Sequence, residues 1–362
     1  MPDNVTLDEL KALLKKTPVM VEINPLSTLF LDDVLVLKKV EDLICILDSP
    51  DPFPSQPVLA LGVDNRFVHR IPAIRCSHNP LTPELNEIIL DKFDSIKEMM
   101  LVQSEVSDKI QRETNSECVV LIMVDGLSYH DWNRFAPPEF TEGCEPCLVD
   151  GRTVTEDGMI RIIGDPPLVF RMFDSGFKKG YGFTYWKMTE HLTKRLFKGF
   201  SRVKRIRSFD DVLSELRKAD LNWSYVQIVR QGLEQMCHRH RDKPDIKGGV
   251  SGIVSDLKRM IDLISLKGIH ATVWLTSDHG ILWRDEHEFT SYMTLPPNSP
   301  PRYLDRRISV RNALIMESAG EYYTLLGYPL LTRELRNDEW GVHGGVSFEE
   351  SVVPLLKIEI GG

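Results

Sequence analysis

The stretch "TVWLTSDHGILW", residues 272–283, sets Asp278 and His279 side by side at the end of an apolar run, with Gly280 behind them. In a continuing strand, neighbouring side chains point to opposite faces, so the pair can serve one partner only if the strand has already ended. A carboxylate oxygen and a neutral imidazole nitrogen are ordinary ligands of zinc or manganese, whereas a catalytic acid and base need not be sequence neighbours. Donors of the same kind recur. Asp125 closes the run "VVLIMV" ahead of Gly126, and Glu234 precedes His238 by four residues in "GLEQMCHRH", sharing a face if that segment is helical. His343 stands beside two glycines in "GVHGGVSFEESVVP", where Ser347 and Glu350 have capping-box spacing. Taken singly, Asp125 reads as a helix cap, Glu234 and His238 as a solvated face, and His343 as a turn residue. Their recurrence at the ends of apparent strands favours metal ligation.

The elements that would position these residues follow from periodicity. "CVVLIMV" is a continuous apolar run ended by Asp125, the pattern of a strand buried on both faces, and "WSYVQIVRQG", "HATVWLTSDHG" and "VVPLLKIEI" repeat it. Helical stretches lie between them at "FDDVLSELRKA" and "GGVSGIVSDLKRMIDLISLKG". Alternation of this kind predicts an α/β fold, a doubly wound, mostly parallel sheet flanked by helices, with ligands gathered at the carboxyl ends of the strands. Gly280 would let the backbone turn sharply behind the Asp278–His279 pair. Residues 83–362 then form the main domain, and residues 1–82, with short apolar runs broken by "DSPDPFPSQP", a small α/β lobe. From Thr82 to about Asn115 the helical spacing without internal Pro or Gly predicts one long helix.

Composition narrows the class. Of 362 residues, 42% are apolar and 27% charged, as in ordinary globular proteins, and no window approaches the apolar length of a membrane helix. The N-terminus reads as a capped amphipathic helix and not a secretory signal, which places the expected protein in the cytoplasm without a membrane partner. Six scattered cysteines favour reduced thiols, and the lone CxxC of Cys144 and Cys147 reads as incidental spacing. A net charge of −9 argues against binding nucleic acid by bulk electrostatics. Between Lys194 and Arg207, however, seven basic residues cluster, and "GFTYW" (Gly182–Trp186) offers aromatic rings nearby. A phosphate backbone and a stacked base would suit such a patch, while charge runs are usually solvated faces.

In this order, "VVLIMVDGLSYHDW", "TSDHG" and "HGGVSFEESVVPLL" resemble the PglZ domain, a branch of the alkaline phosphatase superfamily, over roughly the last two-thirds of the chain. The resemblance implies a mixed, mostly parallel sheet between helices and two divalent metal ions, zinc first, with manganese or magnesium as alternatives. It also implies a Ser or Thr nucleophile that attacks phosphorus. Asp125, Asp278 and His279 match the positions that hold one ion with the nucleophile; Glu234, His238 and His343 match those that hold the other. The superfamily normally has Asp where this chain has Glu234, and Asp242 is a substitute carboxylate. In "GRTVTEDGM" the resemblance points to Thr155 as the nucleophile, with Thr153 as the fallback. A hydroxyl at a helix N-terminus gains from the positive dipole end once deprotonated, although both threonines are also ordinary N-cap candidates. Arg152, Lys194, Arg195, Lys204 and Arg205 are the expected substrate contacts. Three readings follow: a phosphodiesterase or nuclease acting on nucleic acid or a nucleotide in bacterial anti-phage defence of the BREX kind, a phosphomonoesterase on the same metals, or a degenerate scaffold that docks other defence proteins.

Overall fold

Cys118–Val124 (β1) carries no charged side chain, and all seven of its residues are buried. A strand of this composition has to be covered on both faces, as inside a parallel sheet. The structure, a computed structural model, describes residues 93–238, 242–318 and 320–361, together with Asn86, Ile89 and Leu90. Residues 101–362 form one compact unit. The expected lobe over residues 1–82 lies outside the described residues.

The remaining strands are β2 (Glu145–Leu148), β3 (Lys179–Tyr185), β4 (Val203–Ile206), β5 (Ser224–Arg230), β6 (Ala271–Ser277), the short β7 (Leu282–Trp283), β8 (Thr290–Ser291) and β9 (Tyr303–Leu304), then β10 (Ala313–Ser318), β11 (Glu321–Leu326), β12 (Leu330–Leu331), β13 (Gly341–Val342) and β14 (Val352–Ile360). Seven of them make one mixed sheet in the order β2-β14-β6-β1-β5-β3-β4. Neighbours from β6 to β4 are parallel, and β14 lies antiparallel between β6 and β2. The expected α/β architecture is what the chain forms. Register sets the site: Val124 of β1 pairs with Arg230 of β5 and with Ser277 of β6, so three central strands end at one level.

The helices are α1 (Phe93–Met99), α2 (Val106–Glu113), α3 (Tyr129–Phe135), α4 (Pro138–Thr141), α5 (Thr155–Ile163), α6 (Leu168–Asp174), α7 (Glu190–Leu196), α8 (Phe209–Lys218), α9 (Glu234–Cys237), α10 (Ile246–Leu266) and α11 (Phe348–Ser351). The long helix expected through residue 115 is interrupted. Val102 is extended (φ −102°, ψ 157°), bridges Leu148, and leads into a 3-10 turn at Gln103–Glu105. Sheet pairing here outweighs helix propensity, and it frees Gln103, fully buried, to donate from Nε2 to the carbonyls of Ser277 and Asp278 at 3.0 and 2.8 Å. One core packs Val119, Leu121 and Met123 of β1 and Trp274 of β6 beneath Met159 and Ile162 of α5. Between β6 and β14 the chain makes three small sheets, β7 with β13, β8 with β12, and β9-β11-β10.

Candidate metal centre

Asp125 follows β1, while Asp278 and His279 follow β6, which ends at Ser277. Having left the strand, both Asp278 and His279 face one place: Asp278 Oδ2 is 3.6 Å from His279 Nε2. Gly280 is required there for space and not for a left-handed turn. A Cβ on it would stand 1.8 Å from the Glu349 carbonyl oxygen, and its backbone carries no positive φ. Helix α5 approaches from the other side through Gly158, where a Cβ would meet the Asp278 carbonyl at 2.3 Å. That contact brings Thr155, the first residue of α5, over the strand ends.

Thr155 Oγ1 donates to Glu234 Oε2 at 2.9 Å, with Asp125 Oδ1 at 3.3 Å and His279 Nε2 at 3.4 Å. Thr153 is elsewhere engaged: fully buried, its hydroxyl donates to the Gly345 carbonyl at 2.9 Å and accepts from Gly344 N at 2.8 Å. Val154 occupies the N-cap of α5, so neither threonine caps it.

Glu234 opens α9, and its other oxygen, Oε1, lies 3.3 Å from His343 Nε2 and 3.9 Å from His238 Nε2. The expected shared helix face is not the reason these meet. His238 has left the helix, extended at φ −117° and ψ 132° and bridged to Glu339, and it reaches Glu234 from there. Two groups of donors result, Asp125, Glu234 and His279 in one and Glu234, His238 and His343 in the other, each with ligand atoms within 4.8 Å of one another. Asp242, exposed, belongs to neither. Neither do Cys144 and Cys147, whose thiols burial pushes up; Cys147 lies on β2, so their spacing is that of a strand entry.

Two of the imidazoles are oriented as metal ligands are. His279 Nδ1 faces the Gly280 carbonyl at 2.9 Å and His343 Nδ1 faces the Thr153 carbonyl at 3.0 Å. A carbonyl can only accept, so each Nδ1 carries the proton and each Nε2 is directed into the site. Asp278 Oδ1 accepts from the backbone N–H groups of Gly126 and His279, both at 2.9 Å, while Oδ2 is buried without a partner. A buried, unsatisfied carboxylate oxygen costs free energy that a cation would recover. Burial, the charge of Glu234 and the charge of Asp278 raise Asp125 well above the usual carboxylate range. At His343 burial disfavours the imidazolium, yet the Glu234 carboxylate raises its pKa to about 9, so the position attracts positive charge. Ligand atoms about 2.0–2.2 Å from zinc at tetrahedral angles lie roughly 3.3–3.6 Å apart; Glu234 Oε1 and His343 Nε2 are 3.3 Å apart, and Asp278 Oδ2 and His279 Nε2 3.6 Å. The donor set fits two divalent cations.

Sequence reading missed Tyr185. It ends β3 as Asp125 ends β1, and its hydroxyl donates to Asp125 Oδ2 at 2.7 Å. Its place at a strand end was the available signal. Of the rest of "GFTYW", Phe183 is buried and Trp186 is 51% exposed, so one ring remains for stacking. The five basic residues expected to contact substrate are paired with the chain's own acids or carbonyls. Arg152 makes a bidentate contact with Asp157 at 2.6 and 2.9 Å and lies 3.9 Å from the Tyr323 ring centroid. Arg195 donates to Glu156, Lys204 to Glu215, and Arg205 to the Trp186 and Met188 carbonyls, while Lys194 lies 3.4 Å from Glu190. Arg152 and Arg195 stand beside the start of α5; Lys194, Lys204 and Arg205 lie on α7 and the edge strand β4, outside the donor groups.

No protein-family model matches the chain, and no curated protein matches it by sequence. Among solved structures the chain is similar to murine ectonucleotide pyrophosphatase/phosphodiesterase 5 (TM-score 0.44, 10% identity, covering 68% of this chain and 88% of that one). It is also similar to the C-terminal periplasmic domain of EptC from Escherichia coli in complex with zinc (0.34, 13%, 47% and 65%). A mutant of TAB5 alkaline phosphatase with magnesium bound is a third (0.36, 8%, 67% and 91%). These are modest likenesses at low identity, and the chemistry of the site rests on its own donors.

Proposed function

We propose that this chain is a metal-dependent phosphoester hydrolase that cleaves phosphodiesters through Thr155. The observation that supports it is the Thr155 hydroxyl at the start of α5, within 2.9 to 3.4 Å of a glutamate, an aspartate and a histidine that belong to paired donor groups. Asp125, Asp278 and His279 would hold one ion, and Glu234, His238 and His343 the other. When bound, two such ions supply Lewis-acid activation and neutralise charge developing on phosphoryl oxygens.

The protein's own groups do the rest. Thr155 Oγ1 attacks phosphorus, forming one P–O bond as the bond to the leaving alcohol breaks; the alcohol takes up the proton the hydroxyl gave up. Water then displaces Thr155 from the phosphothreonine, releasing a phosphomonoester and restoring the hydroxyl. The N-terminus of α5 presents its positive dipole end to the charge that develops. Because Gly158 packs α5 against the Asp278 carbonyl and Gln103 Nε2 holds the Ser277 and Asp278 carbonyls, attack begins from a set position.

The order of the three sequence motifs supports a PglZ-type diesterase, and the defence role and a nucleic-acid or nucleotide substrate rest on that resemblance. Purified protein is expected to contain zinc and to hydrolyse bis-p-nitrophenyl phosphate faster than the monoester. Thr155→Ala is expected to abolish hydrolysis, a loss of at least about a thousandfold given what nucleophile removal costs, while metal content is retained. Full activity in that variant would overturn the nucleophile, and a folded wild-type protein that binds no divalent ion would overturn the reading. Faster hydrolysis of the monoester would move the assignment to a phosphomonoesterase.

A further inference from the structure

Glu234 is the one residue common to both donor groups. Its two oxygens are divided between them: Oε1 faces His343 at 3.3 Å and His238 at 3.9 Å, while Oε2 faces Thr155 at 2.9 Å and His279 at 3.8 Å. The backbone beneath is tied to the strand end. Leu233 N donates to the Gly126 carbonyl at 3.1 Å and Glu234 N to the Asp125 carbonyl at 3.2 Å, which ties the start of α9 to the turn that follows β1. From that fixed root, the position of the carboxylate is decided by side-chain length. The second methylene of Glu carries it out between the two groups, a reach that Asp would not have.

Resting on the reading of these groups as metal sites, we infer that Glu234 is a bridging ligand, one oxygen to each ion, so that the two sites fill as a coupled pair and not independently. Glu in place of the superfamily's Asp would then join the two sites. A shared carboxylate counts toward the charge balance of both ions, so its loss weakens both. Two ions held by one carboxylate would be placed to act on one phosphoryl group.

The prediction is read by metal binding and magnetism, apart from turnover. Metal-stripped protein is titrated with Mn2+ by calorimetry, and electron paramagnetic resonance is recorded at full loading. Wild type is expected to take two Mn2+ per chain with an exchange-coupled spectrum. Glu234→Gln, which keeps the shape and removes the charge, is expected to weaken both sites together by tenfold or more. Glu234→Asp is expected to bind two ions whose spectra are uncoupled. His238→Ala, which touches one group, is expected to weaken the ion at that group and, through the shared carboxylate, to shift the affinity of the other as well. Two uncoupled Mn2+ in wild type would overturn the bridge while leaving the metal sites in place. So would loss of a single ion in Glu234→Gln with the other unaffected. Wild-type protein that binds no Mn2+ or Zn2+ would overturn both the bridge and the hydrolase reading. The wild-type spectrum does not depend on any variant folding.

Discussion

Tyr185 orients a candidate metal ligand without being one. Its hydroxyl donates to Asp125 Oδ2 at 2.7 Å, which leaves Oδ1 turned toward Thr155. Burial, followed by the charge of Asp125, raises the phenol far above its ordinary value, so it remains a donor at any working pH. Partners of this kind are worth roughly 10–100-fold in metal affinity or activity. Tyr185→Phe is therefore expected to fold normally, to weaken zinc at the Asp125 group by about that factor, and to lower kcat more than it raises KM. Isothermal titration with zinc checks it, since a purely structural role would leave affinity unchanged. The candidate ligands were legible because strand ends concentrate polar residues after apolar runs, and Asp125, Asp278 and His279 stand out against "LIMV" and "VWLT". Tyr185 also ends a strand, but an aromatic residue at the end of "GYGFTY" has the composition of core, which masks that signal. The shared role of Glu234 was equally hidden, because sequence gives a side chain's length but not where its root is tied.

At the scale of elements, the site depends on how the segment carrying His343 is fastened. Ser347 caps α11, accepting from Glu350 N at 3.1 Å, as the capping-box spacing suggested. The Glu350 side chain, however, is taken by Arg302 in a fully buried bidentate pair at 3.1 and 2.8 Å, and Glu350 Oε1 also accepts from Gly345 N at 3.0 Å. Arg302 extends the network to the carbonyls of Gly327 and Leu330, joining the small sheets to the loop of His343. Removing one partner leaves a buried charge unpaired, at a cost of about 3–5 kcal/mol. Glu350→Ala is expected to lose about that much stability in urea titration, and to lose metal at the His343 group before the protein unfolds. Replacing both partners with apolar residues is expected to recover much of the stability but not the metal. The central strands were readable from their apolar runs; this network was not. Arg302 and Glu350 are 48 residues apart, and short strands of two residues such as β7, β9 and β13 carry no periodicity to detect.

For the molecule as a whole, the site is a concentration of buried negative charge that the fold has to carry. Asp125, Asp278 and Glu234 converge where three strands end, and Asp278 is pushed up by burial and by the charge of Glu234, against the pull of His279. Among the described residues no helix is long and apolar enough to cross a membrane. A ligand that binds the folded state alone stabilises it by about 2.7 kcal/mol at a hundred times its dissociation constant. For a unit of this size each kcal/mol moves Tm by roughly 2–4 °C, so zinc is expected to raise Tm by about 5–10 °C over the chelated protein. Asp278→Asn tests whether the charge is the cause. A carboxylate whose folded pKa is raised gives stability that is present below its ordinary value and is lost as pH rises through the raised one. At neutral pH the chelated Asp278→Asn protein is thus expected to melt above chelated wild type, to lose that advantage as pH falls toward the ordinary carboxylate range, and to gain less from zinc. Equal melting of the two chelated proteins across that range, followed by calorimetry, would show that the cost of the site is carried by something other than Asp278.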